Sequence, residues 1–336
     1  MDSLTHLALG ACMGEAFAGN KLGRKAMIWG AVAQSAPDID FIGSFFLDTP
    51  GDLIAHRGFT HSILFALMIT PVMAYFAERW HRPHNISFLK WSLFFGVVIL
   101  AHIFIDAFNN YGVGWWEPFS HDRMSFNSIY VADPFFSIPP ALAIIAMIYL
   151  PKRSRYVKIC WQWGLGLSAL YLIYCLGNKY YIDTKVRSIL ADKKIAYTQY
   201  FTTPAPLQNW LWFIVAGNDQ GFHVGFRSVF EDQPSTEFQY FPRNDSLLQD
   251  MDEEKELIQL KQFSQGFYTV EKWGDTLVFN DLRFGQIIGW QDPKEKFVFH
   301  YFLHQPGWNN LVVQRGRFKS WNWQVFKDFI RRIFRD

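Results

Sequence analysis

Apolar residues dominate the first half of the chain in runs that have the length of helices, and short polar segments separate these runs. Two runs, residues 4–18 and 23–35, are too short to cross a bilayer and are expected as packed half-spanning helices, the first ending at Gly19-Asn20. Four later runs approach the ~20 residues that a spanning helix needs: residues 60–78, 88–108, 134–150 and 160–177. Residues 1–178 are therefore predicted to form an α-helical membrane bundle of about six hydrophobic helices. The alternative is the buried core of a soluble protein, which usually carries fewer such segments.

The pattern changes after about Asn178, where charges and glycines recur and the apolar runs become short and alternating. Residues 210–230 predict two strands joined by a turn at 217–221, and residues 272–290 and 296–304 predict further strands. Helical periodicity indicates amphipathic helices over 246–263 and 323–336. We expect residues 179–336 to form an extramembrane α+β domain with antiparallel strands. The basic C-terminal helix either packs on that domain, which we favour, or lies on anionic lipid.

Composition supports a membrane protein and excludes other classes. Half of the residues are apolar and 18% are charged, against roughly 25% charged residues in soluble domains. The net charge is +2, and no basic stripe with interleaved aromatic residues is present, so no nucleic-acid partner is expected. The three cysteines form no CxxC pair and are expected to serve packing.

Basic residues near the ends of spans favour the cytoplasm, and here they occupy alternate loops. This places the chain start, residues 37–59, residues 109–133 and the C-terminal domain on the non-cytoplasmic side of the membrane. A few basic residues beyond the last span oppose the assignment mildly. The loop residues are Lys21, Arg24 and Lys25, then Arg79, Arg82 and Lys90, then Lys152, Arg153, Arg155 and Lys158.

Ionisable side chains stand at the ends of the apolar segments, and the predicted topology places them all on the non-cytoplasmic side. Such groups are costly in an apolar bundle unless they bind something, and a divalent metal is the simplest explanation. His6, taken alone, is as well explained by a structural role as by metal ligation. The candidate ligands are His6, Asp38, Asp40, His56, His61, His102 and Asp106.

Two of the motifs have informative spacing. His102 and Asp106 are four residues apart, so both lie on one helix face and can reach one cation. A hydrogen-bonded pair that stabilises the bundle is the alternative. His56 and His61 flank a glycine turn, and Thr60 can cap the next helix so that both rings face inward. Here the alternative is a surface pair without function.

Further carboxylates and one arginine complete the candidate site. Pro37 ends the second helix, so we expect Asp38 and Asp40 on an extended segment with both carboxylates on one side. They can bridge two metals or act as general base, or they simply solvate a helix end. Asp133 is either a further ligand or an ordinary helix start. The guanidinium of Arg123 suits a substrate phosphate as a catalytic contact.

The types of donor atom indicate which metals the site would bind. Histidines and carboxylates without cysteine favour Zn²⁺, with Mn²⁺ or Fe²⁺ as alternatives, over Mg²⁺ or Ca²⁺. Seven or eight ligands exceed what one tetrahedral zinc needs, so either one or two ions are expected. Two-metal sites typically activate water for attack on phosphorus or for ester and amide hydrolysis.

The motifs MDSLTH, PDID, HRGFTHS, HIFIDAFNNYG, PFSHDR and ADP, in this order, resemble the YdjM-like family of inner-membrane metal-dependent hydrolases. The segments TPAPLQNWLWFIV and NDLRFG are also similar to that family's C-terminal part. The resemblance implies an integral membrane protein whose metal site contains the seven candidates above, with Asp133 as an eighth. It also implies a distant similarity to the phospholipase C and P1 nuclease group of helical zinc enzymes.

Two functional hypotheses follow. In the first, the protein is a membrane-embedded hydrolase in which metal-activated water attacks a phosphoester or related ester, with membrane lipid or a lipid-linked molecule as substrate. In the second, it is a non-catalytic membrane metal-binding scaffold whose C-terminal domain docks a protein partner of unknown identity. A metal transporter is disfavoured, because the ligands cluster at one face and do not run through the midplane.

Overall fold

The computed structural model describes residues 1–82, 85–151, 154–232, 236–249, 251, 254–303, 309 and 321–334. The chain divides into two compact units. The first, called the membrane unit below, contains Met1–Phe45 and Ala55–Cys175. The second, called the C-terminal unit, contains Phe46–Ile54 and Leu176–Asp336.

The helices run in chain order as follows: α1 Ser3–Leu22, α2 Arg24–Ser35, α3 Thr49–Ala55, α4 Ile63–Trp80, α5 Phe88–Asp106, α6 Pro134–Tyr149, α7 Arg155–Asp192, α8 Lys255–Phe263 and α9 Trp323–Phe334. Short 3-10 helices cover Pro37–Phe45, Phe59–His61 and Asp245–Leu248.

The first helix is longer than its sequence suggested. Asp2 caps it by accepting a hydrogen bond from the Thr5 backbone N–H at 3.0 Å. The expected stop at Gly19-Asn20 is wrong, because α1 continues to Leu22 and ends at Gly23, whose φ is 57°. A glycine inside a helix costs only about 1 kcal/mol. The helix ends at Gly23, where the backbone takes a positive φ that glycine adopts without a steric penalty.

The segment after α2 is also not the extended segment that its sequence had suggested. Pro37–Phe45 is a 3-10 helix. Proline ends a preceding helix, but its fixed φ also suits the first turn of a new one. Asp38 and Asp40 are therefore separated by most of a helical turn and do not point to the same side.

Within the described residues, three helices are long and apolar enough to cross a membrane, namely α4, α5 and α7, while α6 is apolar but has 16 residues. They support a helical membrane region, and the expected count of about six hydrophobic helices stays a prediction. Side chains such as Leu67, Leu93 and Leu170 are exposed, as expected of a lipid-facing surface. On α5, Trp91 and Phe95 are fully buried.

Helix α7 extends well beyond the predicted span of residues 160–177. Past the apolar stretch, Ile182, Val186 and Leu190 recur every four residues and pack against Trp212 and Ile214 in the C-terminal unit. This second buried stripe explains why the helix continues into a polar sequence.

The C-terminal unit contains two antiparallel sheets, as the alternating pattern predicted. Its amphipathic helix α8 begins at Lys255 and not at 246, because Asp245–Leu248 is a separate 3-10 turn that follows Asn244 with a φ of 60°. Part of the predicted strand 296–304 and the tip of the predicted helix 323–336 lie outside the described residues. The strands are β1 Gln199–Pro204, β2 Leu211–Asn218, β3 Gly221–Ser228 and β4 Phe238–Pro242 in one sheet, and β5 Tyr268–Trp273, β6 Thr276–Gln286 and β7 Phe297–Phe302 in the other.

Close contact between the backbones of α1 and α2 sets the geometry of the membrane unit. A Cβ atom at Gly10 would overlap the carbonyl oxygen of Gly30, and one at Gly14 would overlap that of Ala26. Small residues allow helices to pack at this distance in membranes, where van der Waals contact replaces the hydrophobic effect as the driving force.

We predict that Gly14→Ala destabilises the protein by about 1–3 kcal/mol, because the added methyl has no space between the two backbones. The midpoint of thermal unfolding in detergent measures the effect. Gly166→Ala is the matched control, since a Cβ there meets nothing within 4 Å and alanine is the better helix former by roughly 1 kcal/mol. Equal midpoints for the two variants would contradict the close-packing argument.

Candidate metal centre

Four donor side chains from three separate segments converge in the membrane unit. Asp38 lies on the 3-10 helix after α2, and His61 ends the short 3-10 helix before α4. His102 and Asp106 lie in the last turns of α5. One ligand atom from each of the four lies within 4.8 Å of all the others.

The distances between these atoms suit a tetrahedral ion. His102 Nε2 lies 3.2 Å from His61 Nε2 and 3.5 Å from Asp38 Oδ1. His61 Nε2 lies 3.6 Å from Asp38 Oδ1 and 3.5 Å from Asp106 Oδ2, and His102 Nε2 lies 3.8 Å from the latter. Ligands about 2.0–2.1 Å from a tetrahedral ion are about 3.3 Å apart. The five distances therefore leave room for one small cation.

The surroundings of these atoms also fit a cation. His61, His102 and Asp106 are 0% exposed, and the buried Asp106 Oδ2 accepts no well-aligned hydrogen bond, although Arg57 Nε lies 3.0 Å from it. The Nε2 atoms of the two histidines face each other, although at most one of them can donate to the other. A divalent cation accepts both lone pairs and the carboxylate oxygen together.

The protonation states favour metal binding. Burial favours the neutral form of Asp38, but hydrogen bonds from His102 and His61 outweigh it, so the pKa of its carboxyl lies well below its usual value. Burial lowers the pKa of the His61 imidazole to about 3, against the opposing hydrogen bond with Asp38. At neutral pH the site thus presents a carboxylate and a neutral imidazole, the forms that bind metals.

Asp40 and His56 form a layer outside the four donors. Asp40 Oδ2 lies 3.6 Å from His61 Nδ1, on the ring side away from the cluster, and accepts the Arg57 backbone N–H at 2.7 Å. His56 Nδ1 lies 3.3 Å from the same oxygen, and the His56 side chain is 42% exposed. A carboxylate behind a metal-binding histidine orients its ring. The structure thus separates these two candidates from the four converging donors.

His6 contacts the cluster from the side of α1. Its ring stacks on His102 with the ring centroids 3.8 Å apart, and its Nε2 lies 3.0 Å from Asp106 Oδ1. Its Nδ1 lies 3.3 Å from Gln34 Nε2 on α2. The Met1 amino group also contacts Asp106 Oδ1. His6 therefore contacts Asp106 Oδ1, the carboxylate oxygen that faces away from the other donors, and is not itself one of the four donors.

Arg57 is a central residue that the sequence reasoning missed. It is 3% exposed, and its Nε lies 3.0 Å from Asp106 Oδ2. Its Nη1 donates to Asn109 Oδ1 at 2.8 Å, and its guanidinium lies 5.0 Å from the centroid of the Tyr111 ring. A basic residue between two histidines in a loop suggests a solvated side chain. Only its position inside the HRGFTHS motif pointed to the site.

Asp133 and Arg123 lie apart from the four donors. Asp133 caps α6, where Oδ1 accepts from the Phe135 backbone N–H at 2.9 Å and Oδ2 accepts from the Tyr171 hydroxyl at 2.9 Å. The structure thus gives Asp133 a helix-start role. Arg123 donates to the backbone carbonyl of His56 at 3.0 Å, and so braces the loop that carries the histidines.

Comparisons with known proteins agree with the resemblance found in the motifs. The model of a family described as YdjM inner membrane protein matches residues 1–182, a range that includes all four donors. Inner membrane protein YbcI of Escherichia coli strain K12 is 30% identical over 175 residues, which are 51% of this chain and 95% of YbcI. The uncharacterized protein YfhP of Bacillus subtilis strain 168 is 31% identical over 208 residues, 58% of this chain and 57% of YfhP. No solved structure matches.

The buried histidine gives a prediction for pH. Between the ordinary histidine pKa of about 6.5 and the folded value of about 3, the unfolded chain holds a proton at His61 that the folded chain lacks. The free energy of unfolding of the chelator-treated protein should therefore fall as pH is lowered through this window, by up to about 1.4 kcal/mol per pH unit for this group.

Thermal unfolding midpoints at a series of pH values in this window measure the slope. In His61→Gln the slope should be smaller, because the titrating group is gone. His121→Gln is the control, since the His121 side chain is 66% exposed, and it should keep the wild-type slope. A slope that is unchanged in His61→Gln would show that this ring is not held neutral by the fold.

Proposed function

The chain belongs to the YdjM inner membrane protein family, and on that premise we propose that it is a membrane-embedded, metal-dependent hydrolase of phosphoesters or related esters. The observation that carries the proposal is the convergence of Asp38, His61, His102 and Asp106 at tetrahedral spacing. Nitrogen and oxygen donors of this kind favour Zn²⁺, with Mn²⁺ and Fe²⁺ as alternatives. Four donors suit one ion.

The charges of the surrounding residues support a divalent ion. Asp38 and Asp106 among the donors, with Asp40 behind them, bring three carboxylates together. The basic groups beside them are Arg57 and the Met1 amino group. Buried carboxylates in this number are costly without further compensation. A divalent cation bound here would supply a Lewis acid that lowers the pKa of a coordinated water.

His56, which contacts Asp40 beside the donors, is placed to accept a proton. His56 is 42% exposed and lies 3.3 Å from Asp40, whose side chain is 3% exposed. The His56 ring centroid is 6.5 Å from that of His61. A carboxylate that fixes one ring nitrogen leaves the other nitrogen able to take a proton from an attacking water. We assign His56 the role of general base and Asp40 that of its positioning residue.

The segments that carry the donors also carry exposed apolar side chains, which supports a lipid or lipid-linked substrate. Ile39, Phe41 and Ile42 follow Asp38 on the 3-10 helix and are exposed. Phe59, two residues before His61, is 41% exposed. Apolar groups around a polar centre are typical of sites whose ligand has an apolar part.

One observation favours the non-catalytic alternative. Four protein ligands complete a tetrahedron, as in structural zinc sites, whereas catalytic sites keep a position for water. Asp38 decides between the two functions, because its side chain is 25% exposed while the other three donors are fully buried. In the hydrolase, Asp38 would be the donor that gives up its place to a water molecule. In the scaffold, the site stays closed, and the C-terminal domain docks a protein partner.

The basic loops support the orientation in which the site and the C-terminal domain face the non-cytoplasmic side. Lys21 Nζ donates to the Asn85 carbonyl at 3.2 Å, and Arg24 contacts the Ile148 carbonyl. The loop after α1, the loop before α5 and the end of α6 therefore meet at one end of the membrane unit. The donors lie at the opposite helix ends. Lys152 and Arg153 lie outside the described residues.

The decisive test combines metal content with turnover. We predict that the purified protein binds one divalent ion per chain and hydrolyses bis(p-nitrophenyl) phosphate or a phospholipid. His102→Ala and Asp106→Ala should lose both, with activity reduced at least about a hundredfold. His56→Gln should keep the metal and lose activity to a similar degree, because it removes the proton acceptor alone.

His121→Ala and Asp122→Ala are matched controls, an exposed histidine and an exposed carboxylate from the same unit, and both properties should stay. Metal bound at full stoichiometry without turnover of any phosphoester or ester would establish the scaffold. Absence of metal after loading with Zn²⁺, Mn²⁺ and Fe²⁺ would contradict both functions.

The orientation has its own test. Gln220 lies in the exposed turn between β2 and β3, and a Gln220→Cys variant should react with a membrane-impermeant maleimide in intact spheroplasts. The native cysteines are replaced in the same background, and a cysteine at exposed Arg79 is the matched control for the other side. Labelling of position 220 only after lysis would show that the C-terminal domain lies on the cytoplasmic side.

A further inference from the structure

Helix α9 has two apolar stripes and not one. At about 100° per residue, Val325, Phe329 and Ile333 lie along one stripe and Trp323, Phe326, Ile330 and Phe334 along the adjacent one. The two stripes together cover about half of the helix surface, which is more than packing on one neighbouring surface requires.

The first stripe is buried in the C-terminal unit. Val325, Phe329 and Ile333 are 8%, 3% and 1% exposed, and the latter two share a core cluster with Ala205 and Leu211. This contact confirms that the helix packs on its own domain, as the sequence favoured.

The second stripe stays exposed although it is equally apolar. Trp323, Phe326, Ile330 and Phe334 are 69%, 38%, 38% and 58% exposed. Phe230, which is 43% exposed, extends the stripe by stacking on Phe334 with the ring centroids 5.2 Å apart. Aromatic residues make up most of this surface, and Trp and Phe are the residues that amphipathic helices place in a membrane interface.

Basic side chains border the exposed stripe on the side away from the core. Lys327 and Arg331 are the next residues around the helix, and Lys327 Nζ lies 5.4 Å from the Trp323 ring centroid. Arg331 makes an exposed pair with Asp328 at 3.2 Å, and pairs of this kind are weak. Arg332 faces the core side, where it binds Glu231 at 2.9 Å. The positive charge thus lies beside the apolar stripe, where lipid headgroups would be.

We propose that the outer stripe of α9 lies on the bilayer, with Lys327 and Arg331 against anionic lipid headgroups. The chain is covalently tethered to a membrane through its apolar helices, so a lipid surface is always close to the C-terminal unit. Apolar burial and electrostatic attraction add in such helices. A bilayer matches both the aromatic stripe and its basic border.

Spin labels on the full-length protein test the proposal. Ile330→Cys carries a nitroxide in a background without native cysteines, and the protein is reconstituted in nanodiscs of phosphatidylcholine with or without phosphatidylglycerol. The ratio of oxygen to nickel-chelate collision rates reports depth in the membrane. Ile258→Cys on α8 is the matched control, an isoleucine of the same unit that is 52% exposed.

With phosphatidylglycerol, the ratio at position 330 should exceed that at position 258 by at least about threefold, because the label lies among acyl chains. Lys327→Glu combined with Arg331→Glu should abolish the difference, and high salt should reduce it. Lys193→Glu combined with Lys194→Glu, a reversal at two exposed lysines elsewhere in the unit, should leave it unchanged.

Equal ratios at positions 330 and 258 would overturn the proposal. If the ratio at position 330 is high but changes neither with phosphatidylglycerol nor with the charge reversal, the proposed role of Lys327 and Arg331 is wrong. Dipolar broadening between labels at position 330, or a disulfide between two such chains, would identify a second copy as the occupant and overturn it as well. A melting midpoint equal to that of the wild type shows that each variant is folded.

Discussion

A buried carboxylate, that of Asp106, is the constraint on which the membrane unit depends. A carboxylate in an apolar bundle is stable only if charge and hydrogen bonds surround it. His6 and the Met1 amino group contact one of its oxygens, while Arg57, His61 and His102 lie near the other. These partners come from the chain start, from α1, from the loop before α4 and from α5 itself. Satisfying one charge therefore fixes the relative positions of several segments.

The glycine contact between α1 and α2 makes this arrangement possible. Because Gly10 and Gly14 bring the two backbones together, His6 on α1 comes within reach of both Gln34 on α2 and Asp106 on α5. The 3-10 helix that follows α2 then places Asp38 beside His61 and His102. Packing of small residues, which carries no chemistry itself, thus sets the distances between the donors.

The polar side chains of the candidate metal centre lie in two layers that differ in exposure. Three of the four converging side chains are fully buried, so they suit tight binding of an ion. Asp38 and His56 are 25% and 42% exposed, so solvent reaches them. In the C-terminal unit, α9 likewise buries one apolar stripe and leaves the other exposed.

Sequence alone determined the membrane helices and the residue types of the site, because hydropathy and i,i+4 spacing act over a few neighbouring residues. It identified α4 and α5, and it placed His102 and Asp106 on one face. The tertiary structure decided which donors converge, because that depends on how α1, α2 and α5 pack. In the folded chain, Asp40 lies behind His61, Asp133 caps α6, and Arg57 contacts Asp106. A loop arginine has no periodic signal, and only the buried carboxylate beside it explains its position.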